Sequence, residues 1–201
     1  MKRNLIDPAR RSVLTAGLAM PALLLPGMRE AWTQAGELPA TPMCGEATPK
    51  DYEGPFYKPS TPLRGSLLEP GLSGGRLVVS GFVLTKGCKP LSGAVLDFWQ
   101  CDAKGDYDNT GFRLRGHQFT DDAGRYRLET IYPGEYPGRT RHIHVKVQAK
   151  SGGPLLTTQL YFPGNAANEN DFLFKPALLM RLSESGDNRY GGRFDFVLNL
   201  A

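Results

Sequence analysis

The densest set of chemically active side chains in this 201-residue chain lies in residues 132–145. Tyr136, Arg139, His142 and His144 fall within nine residues, and two of the three histidines of the chain are among them. The His-Ile-His run lies in a Val-rich context that is typical of a β-strand, so both imidazoles should project from one face. Two neutral imidazoles on one face can bind a metal ion. A solvated strand face is the alternative that this short pattern leaves open.

Two imidazoles leave a metal ion short of ligands, and two tyrosines in loops are candidates for the remainder. Tyr136 lies in a Pro-Gly turn and Tyr107 in the turn-rich stretch 103–111. A phenol has a pKa of about 10, so it binds metal at neutral pH only where the cation is a strong Lewis acid. Iron(III) is such a cation, whereas zinc prefers Cys and His. For Tyr107, a loop aromatic packed on the surface is an equal interpretation.

The elements that must position these side chains are short strands separated by turns. Strand patterns occur at 76–85, 94–102, 117–121, 124–131, 142–149, 155–162 and 193–200. Residues 172–182 are the stretch for which a short helix is predicted. About seven strands with this spacing predict an all-β fold, an antiparallel β-sandwich with long loops and little helix. Residues 37–201 are predicted to form one domain without internal repeats.

Residues 1–36 are predicted to be a targeting segment of the twin-arginine type. Arg10-Arg11 directly precedes Ser12 and an apolar run over residues 13–25. This run is too short and too interrupted by proline for a stable membrane span. We therefore expect export to the periplasm or the cell exterior by the twin-arginine route. An ordinary secretory signal or an uncleaved anchor is the alternative.

The charge distribution argues against nucleic-acid binding. The formal net charge is +4. The first 30 residues contribute five positive and two negative charges, so the remaining chain carries a net charge of only +1. No basic stripe with interleaved aromatics, of the kind that nucleic-acid binding requires, is present in the sequence.

The cysteine content suits an oxidising destination. Three cysteines allow one disulfide and one free thiol. Because Cys88 precedes a predicted strand and Cys101 follows it, we predict the pair Cys88–Cys101 if neighbouring elements bring them together. The pair Cys44–Cys88 is the alternative.

The stretch from 97 to 145 resembles the intradiol ring-cleavage dioxygenases, the family of catechol 1,2-dioxygenase and protocatechuate 3,4-dioxygenase. The matching segments are LDFWQCDAKGDYDN, RGHQFTDDAGRYRLETIYPGEYPGRTRHIHVKV and TTQLYFPG, and EGPFY looks like a further match. The resemblance covers about residues 45–200. It implies a non-haem Fe(III) cofactor with four protein ligands, namely Tyr107, Tyr136, His142 and His144. His117 matches no ligand position, and Trp99 is predicted to lie in the core.

The same resemblance implies roles for further side chains. Arg139 falls at the position of the active-site arginine, which can stabilise negative charge that builds up on the substrate. Gln159, in TQLYF, matches an active-site glutamine, and Tyr57, in EGPFY, matches an aromatic near the substrate mouth. Tyr136 matches the tyrosinate that leaves the metal and accepts a proton. A structural salt bridge from Arg139 to Glu135 or Asp122 is the alternative for that residue.

The activity that the resemblance implies is oxidative ring opening. A small aromatic diol and O2 would be the partners, and cleavage between the two hydroxyl-bearing carbons would give products of the cis,cis-muconate type. The short Pro137-Gly138 link predicts an open and less selective pocket. Which catechol is the substrate, and whether the chain forms a homo-oligomer, stay open at this point. Alternatives are a secreted β-sandwich that binds a metal or ligand without dioxygenase activity, and a zinc or copper enzyme that uses only the histidines.

Overall fold

The fold is built from short strands. A computed structural model describes residues 44–150 and 153–200, so the predicted signal segment lies outside the described residues. In that part of the chain, no helix is both long and apolar enough to cross a membrane. The helical elements described are two short 3-10 helices, at Ala166–Glu169 and Pro176–Leu178. The strands are β1 (Arg76–Thr85), β2 (Val95–Trp99), β3 (Arg115–Phe119), β4 (Arg125–Ile131), β5 (His142–Gln148), β6 (Leu156–Tyr161), β7 (Arg181–Glu184), β8 (Arg189–Arg193) and β9 (Phe196–Leu198).

Two sheets form the sandwich. The four-stranded sheet has the order β3-β2-β5-β6 and is antiparallel throughout. The five-stranded sheet has the order β4-β1-β8-β7, and β9 also pairs with β1. The predicted all-β sandwich is confirmed. The five-stranded sheet is mixed, because the long strand β1 pairs in parallel with β8 over its first half and with β9 near its end.

Two sequence-based boundaries differ from the structure. The helix predicted at 172–182 is wrong: this stretch holds one 3-10 turn and the start of β7. The reason is tertiary, because Leu179 bridges to Tyr161 on β6 and the Met180 amide donates to the Tyr161 carbonyl at 2.9 Å. The strand predicted at 193–200 is shorter in the structure: Arg193 is the last residue of β8, and β9 covers Phe196–Leu198. At the break, the Asp195 carboxylate accepts the Phe82 amide of β1 at 2.9 Å.

The apolar core lies between the two sheets and determines which face can carry chemistry. Alternate side chains of the four-stranded sheet point into the core, among them Phe98, Ile143, Val145 and Val147. Side chains at the intervening positions point to the opposite face. The outer face of the four-stranded sheet therefore carries the polar residues of β2, β5 and β6.

A covering segment, residues 44–65, crosses this outer face. The Asp51 amide donates to the Thr157 carbonyl at 2.9 Å, and Gln159 Nε2 donates to the Tyr52 carbonyl at 2.7 Å. Further along, the Arg64 amide donates to the His117 carbonyl at 2.8 Å. The segment is thus hydrogen-bonded to the sheet from β6 to β3, and it buries the outer face of that sheet.

A disulfide joins the start of the covering segment to the turn after β1. The bond is Cys44–Cys88, so the predicted pair Cys88–Cys101 is wrong. Strand β2 separates those two residues, and five residues at about 3.3 Å each span about 17 Å, far more than the reach of a disulfide. Cys101 is a buried free thiol whose Sγ lies 3.5 Å from the Gly134 carbonyl oxygen. Burial raises the pKa of this thiol to about 12.

Removal of the disulfide is expected to destabilise the fold measurably. The bridged cysteines are 44 residues apart, and closing a loop of that size is worth about 2–4 kcal/mol. The double variant Cys44→Ser, Cys88→Ser should lose that much free energy of unfolding in urea titrations. Reductant should destabilise the natural protein and leave the double variant unchanged. An unchanged urea midpoint for the natural protein in reductant would contradict the prediction.

Candidate metal centre

The two histidines of β5 lie side by side on the outer face of the four-stranded sheet. His142 is opposite Tyr161, and His144 is opposite Gln159 on one side and Trp99 on the other. Both imidazoles are only 1% exposed. Gly54 of the covering segment lies directly over His144, where a Cβ atom would approach Cε1 to 3.4 Å. This glycine has a φ of +75°, which a side chain would disfavour.

The histidines are arranged as neutral ligands. His142 Nδ1 lies 2.6 Å from the Thr140 carbonyl oxygen, so its N–H donates there and the Nε2 lone pair is left free. That lone pair faces His144 Nε2 at 3.1 Å. Burial, followed by the charge of Arg139, lowers the pKa of His142 to about 4. Burial also holds the pKa of His144 well below its usual range. Both rings are therefore uncharged at neutral pH and able to bind a cation.

The two predicted tyrosines come from loops that touch each other. Gly105 and Gly134 make the contact possible, because a Cβ on Gly105 would lie 2.3 Å from the Glu135 carbonyl oxygen and one on Gly134 would lie 2.5 Å from the Gly105 amide nitrogen. As a result, the Tyr107 hydroxyl lies 3.5 Å from His142 Nε2 and the Tyr136 hydroxyl lies 3.3 Å from the same atom. Tyr107 is therefore directed into the site and is not a surface aromatic.

These four donor atoms suit a ferric ion. Within the described residues, three or more His, Cys, Asp or Glu side chains do not gather at any point that could hold a metal; the convergent set is two imidazoles and two phenols. Burial raises the pKa of both Tyr107 and Tyr136, so the phenols keep their protons when no cation is present. A trivalent cation reverses that balance, because bound metal charge favours the phenolate. Two phenolate oxygens with two neutral nitrogens suit a hard trivalent cation such as Fe(III), because the high metal charge balances the two negative oxygens.

Arg139 lies at the edge of this donor set and is held on several sides. Its Nε forms an ion pair with Asp171 Oδ2 at 3.0 Å, and its Nη2 donates to Gln159 Oε1 at 2.5 Å. Nη1 is 3.4 Å from the Tyr136 hydroxyl. Burial favours the neutral guanidine form, but Asp171 and Tyr136 outweigh this effect and raise the pKa of Arg139. The cation is thus fixed beside the phenol.

The alternative partners considered for Arg139 are wrong. Glu135 pairs with Arg141 at 3.2 Å, in a contact where both side chains are partly exposed. Asp122 accepts a hydrogen bond from Ser92 at 3.3 Å. Arg139 instead pairs with Asp171, which the sequence-based interpretation did not consider.

Breaking the Arg139–Asp171 pair should be costly. Asp171 is buried, and its Oδ2 also accepts the Thr140 amide at 3.0 Å. Loss of one partner from a buried ion pair costs about 3–5 kcal/mol because the remaining charge is uncompensated. Asp171→Asn should lower the free energy of unfolding by an amount of that order, measured by urea denaturation. Glu135→Gln, which removes the half-exposed pair with Arg141, should change it by less than about 1 kcal/mol. Equal effects of the two variants would contradict this prediction.

The other residues predicted for the site lie progressively further from the four donor atoms. Gln159 binds Arg139 and ties the covering segment through the Tyr52 carbonyl. Trp99 is buried as predicted and stacks flat on His144, with ring centroids 4.8 Å apart. Tyr57 lies one ring further out, 4.9 Å from Trp99, and its hydroxyl donates to Asp97 at 3.2 Å. Its role at the substrate mouth stays a prediction.

His117 is separate from the donor set. It lies on β3, and its Nδ1 is 2.8 Å from the Thr61 carbonyl oxygen. This contact helps to hold the covering segment on the sheet.

Several residues that contribute to the site were not predicted from the sequence. Asp171 orients Arg139 across 32 positions of the chain, and Tyr161 donates to the Asp51 carboxylate at 3.0 Å beside Gln159. Phe56 stacks on Tyr107 with centroids 4.3 Å apart. Tyr161 could have been predicted, because it is two residues from Gln159 and strand alternation places both side chains on one face. Asp171 lies in a polar loop, and no sequence pattern indicated its role.

Comparison with known proteins identifies the family to which the chain is similar. The family model described as Dioxygenase matches residues 52–200. Among solved structures, the chain is 56% identical to the dioxygenase domain of a dioxygenase carbohydrate-binding protein fusion from the cellulolytic bacterium Streptomyces sp. SirexAA-E. That match has a TM-score of 0.75 and covers 78% of this chain and all of the other.

Curated relatives match more distantly. The chain is 35% identical over 153 residues to the protocatechuate 3,4-dioxygenase beta chain of Burkholderia cepacia, covering 62% of this chain and 65% of the relative. It is 32% identical over 149 residues to the catechol 1,2-dioxygenase of Candida albicans, covering 60% of this chain and 49% of the relative. The match thus spans about half to two thirds of the length of these relatives. With the family model matching most of the sequence, the chain belongs to the intradiol ring-cleavage dioxygenase family.

Proposed function

We propose that this protein is a non-haem Fe(III) dioxygenase that opens catecholic rings between the two hydroxyl-bearing carbons with O2, giving products of the cis,cis-muconate type. The observation that carries the proposal is the convergence of four donors: the hydroxyls of Tyr107 and Tyr136 and Nε2 of His144 all lie within 3.5 Å of His142 Nε2. Three hydrogen-bonding groups so close to one buried nitrogen suit a shared cation better than mutual hydrogen bonds.

When bound, ferric iron would supply what side chains cannot, namely a Lewis acid that takes both diol oxygens and makes the ring reactive towards O2. The protein can hold one of the protons that the diol releases. If the diol gave up both hydroxyl protons, the Tyr136 phenolate could accept one of them and the other would pass to solvent. The Arg139 guanidinium, with Nη1 3.4 Å from the Tyr136 hydroxyl, can stabilise negative charge on that oxygen and on the ring of the diol.

The two tyrosines are held differently, which supports the assignment of Tyr136 as the mobile one. Tyr107 is stacked under Phe56 in a loop with many internal hydrogen bonds. Tyr136 lies in the 133–139 turn, beside a cavity of about 390 Å³ that it lines together with Pro137, Gly138 and Asp171. A displaced phenol has space there and would meet Arg139 and Asp171 at the wall of the cavity.

The visible spectrum, together with iron content, tests the proposal. Tyrosinate bound to Fe(III) absorbs visible light, so purified protein loaded with iron should be coloured. Catechol added under air should shift the band, and the band should return as muconate absorbance grows in the ultraviolet. Stoichiometric iron without a charge-transfer band would contradict the proposal that two tyrosinates bind the metal. A coloured protein that leaves catechol, protocatechuate and hydroxyquinol unchanged would contradict the dioxygenase assignment.

We also propose that the protein is exported by the twin-arginine route. The Arg10-Arg11 pattern motivates this, and the Cys44–Cys88 disulfide supports an oxidising destination. Twin-arginine export carries folded proteins, which suits a chain that acquires its metal before transport. Replacement of Arg10 and Arg11 by Lys should leave the protein in the cytoplasmic fraction. Unchanged export of that variant would contradict the proposed route.

A further inference from the structure

Arg115 on β3 is a buried cation next to the candidate centre that the proposed chemistry does not use. Its side chain is fully buried, with a residue exposure of 0%. A guanidinium keeps its charge in proteins, and burial of a charge is unfavourable unless strong interactions compensate it. Burial accordingly lowers the pKa of Arg115, while the nearby Tyr107, Asp108 and Asp97 act to raise it. The hydrogen bonds of this guanidinium must therefore compensate the unfavourable free energy of its burial.

The N–H groups of Arg115 donate hydrogen bonds to two backbone carbonyls from different parts of the chain. Nε and Nη2 donate to the Asp108 carbonyl at 3.1 and 3.0 Å. Nη1 donates to the Phe56 carbonyl at 2.5 Å. The rigid planar fork of a guanidinium can hold both acceptors at once in a fixed geometry, which an ammonium on a flexible chain cannot do. Arg115 thus ties the covering segment to the loop after β2.

The two carbonyls that accept these hydrogen bonds belong to residues that position Tyr107. Asp108 is the next residue in the chain, so its carbonyl fixes the backbone on one side of the tyrosine. Phe56 carries the ring that stacks on the phenol at 4.3 Å, with an interplanar angle of 16°. The guanidinium carbon of Arg115 itself lies 5.9 Å from the centroid of the Tyr107 ring. One side chain therefore restrains the phenol through its own backbone and through its stacking partner.

The loop that follows is closed by the Asp108 carboxylate, so this restraint is rigid. Its oxygens accept the backbone amides of Thr110, Gly111 and Arg113 at 3.0, 2.8 and 2.9 Å. These backbone hydrogen bonds hold the pKa of the carboxyl well below its usual range. A displacement of Tyr107 would have to move this whole turn against Arg115.

We propose that Arg115 is a positioning residue that keeps Tyr107 as the immobile ligand of the candidate centre, by clamping the backbone of Asp108 and Phe56 on either side of the phenol. This inference rests on the proposed function for its metal, but the clamp itself is a property of the chain. It accounts for the difference between the two tyrosines: Tyr107 is locked by a buried arginine, whereas Tyr136 adjoins a cavity. Arg115 acts through Tyr107 and has no direct part in the chemistry.

The test compares Arg115→Met and Arg115→Lys with the matched control Arg113→Met. Arg113 lies two residues away and pairs with Asp102 at 3.3 Å, but its side chain is 45% exposed. Arg115→Met should lose iron to a chelator at least about tenfold faster than the natural protein, the size of effect seen when groups that orient metal ligands are removed. Its charge-transfer band should be displaced at equal iron content. Arg115→Lys should recover part of both properties, and Arg113→Met should match the natural protein.

Hydrogen exchange in the iron-free protein separates this inference from the proposed function. In Arg115→Met, amides in 105–111 and 52–57 should exchange faster, while those of β5 and β6 should keep their protection. If the natural protein binds iron without a charge-transfer band, the proposed function fails, and the exchange data alone decide the clamp. Wild-type exchange and a wild-type spectrum in Arg115→Met would overturn the inference. If that variant does not fold, the same measurements on Arg115→Lys decide it: faster exchange in 105–111 and 52–57 with a displaced band would support the clamp, and wild-type values for both would overturn it.

Discussion

Replacement of Tyr107 by Phe is expected to remove a large part of the visible absorption of the iron-loaded protein and to lower kcat/KM by more than about a hundredfold. Loss of a group that merely orients a metal ligand already costs 10–100-fold in metal affinity or activity, and Tyr107 would be a direct anionic ligand. The ring is stacked on Phe56 and its hydroxyl lies 3.5 Å from His142 Nε2. Phe keeps the stacking and removes only the oxygen. The measurements are iron content, the visible spectrum and the rate of catechol consumption.

A second tyrosine provides the control for this substitution. Tyr132 packs against Phe162 and Tyr190, with ring centroids 4.6 Å from each. Tyr132→Phe should keep the colour, the iron content and the rate. Tyr136→Phe should also lower activity strongly, and it too should retain part of the charge-transfer band, since one phenol remains in each of the two variants. If Tyr107→Phe were as coloured and active as the natural protein, Tyr107 would not be a ligand.

Replacement of Arg139 by Gln is expected to reduce kcat by about a hundredfold to a thousandfold. That is the range found when one preorganised electrostatic donor is removed from a site where charge develops. Arg139 is the cation nearest to the Tyr136 hydroxyl in the described contacts, and Asp171 and Gln159 hold it in place. The loss should fall mainly on kcat and less on KM, because the arginine would act on charge that appears during the reaction. Steady-state kinetics with catechol give both values.

Two further variants separate the loss of charge from the loss of packing. Arg139→Gln leaves Asp171 buried without its partner, so Arg139→Gln combined with Asp171→Asn should regain stability without regaining rate. Arg141→Gln removes a cation two residues away that pairs with the half-exposed Glu135, and it should leave kcat within about threefold. A kcat for Arg139→Gln that is equal to that of Arg141→Gln would refute the assigned role.

The sequence alone was sufficient for features that depend on local periodicity. Alternation over 142–149 placed His142 and His144 on one face, and the structure has them side by side on β5. The strand predicted at 76–85 coincides with β1. The motifs that surround Tyr107, Tyr136, Arg139 and Gln159 also identified the family. These predictions succeeded because side-chain direction in a strand follows from its period of two, and because the motifs are dense enough to be specific.

Tertiary structure decided whatever depends on which distant segments meet. The Cys44–Cys88 bond forms because the covering segment starts beside the β1–β2 turn, and strand β2 carries Cys101 to the far end of the sheet. The stretch at 172–182 forms one 3-10 turn and no longer helix, because Leu179 bridges to Tyr161 on β6. The partnership of Arg139 with Asp171 and the clamp of Arg115 on Phe56 and Asp108 join residues 7 to 59 positions apart. No local pattern encodes such contacts, because their geometry depends on the topology of both sheets and on the path of the segment that covers them.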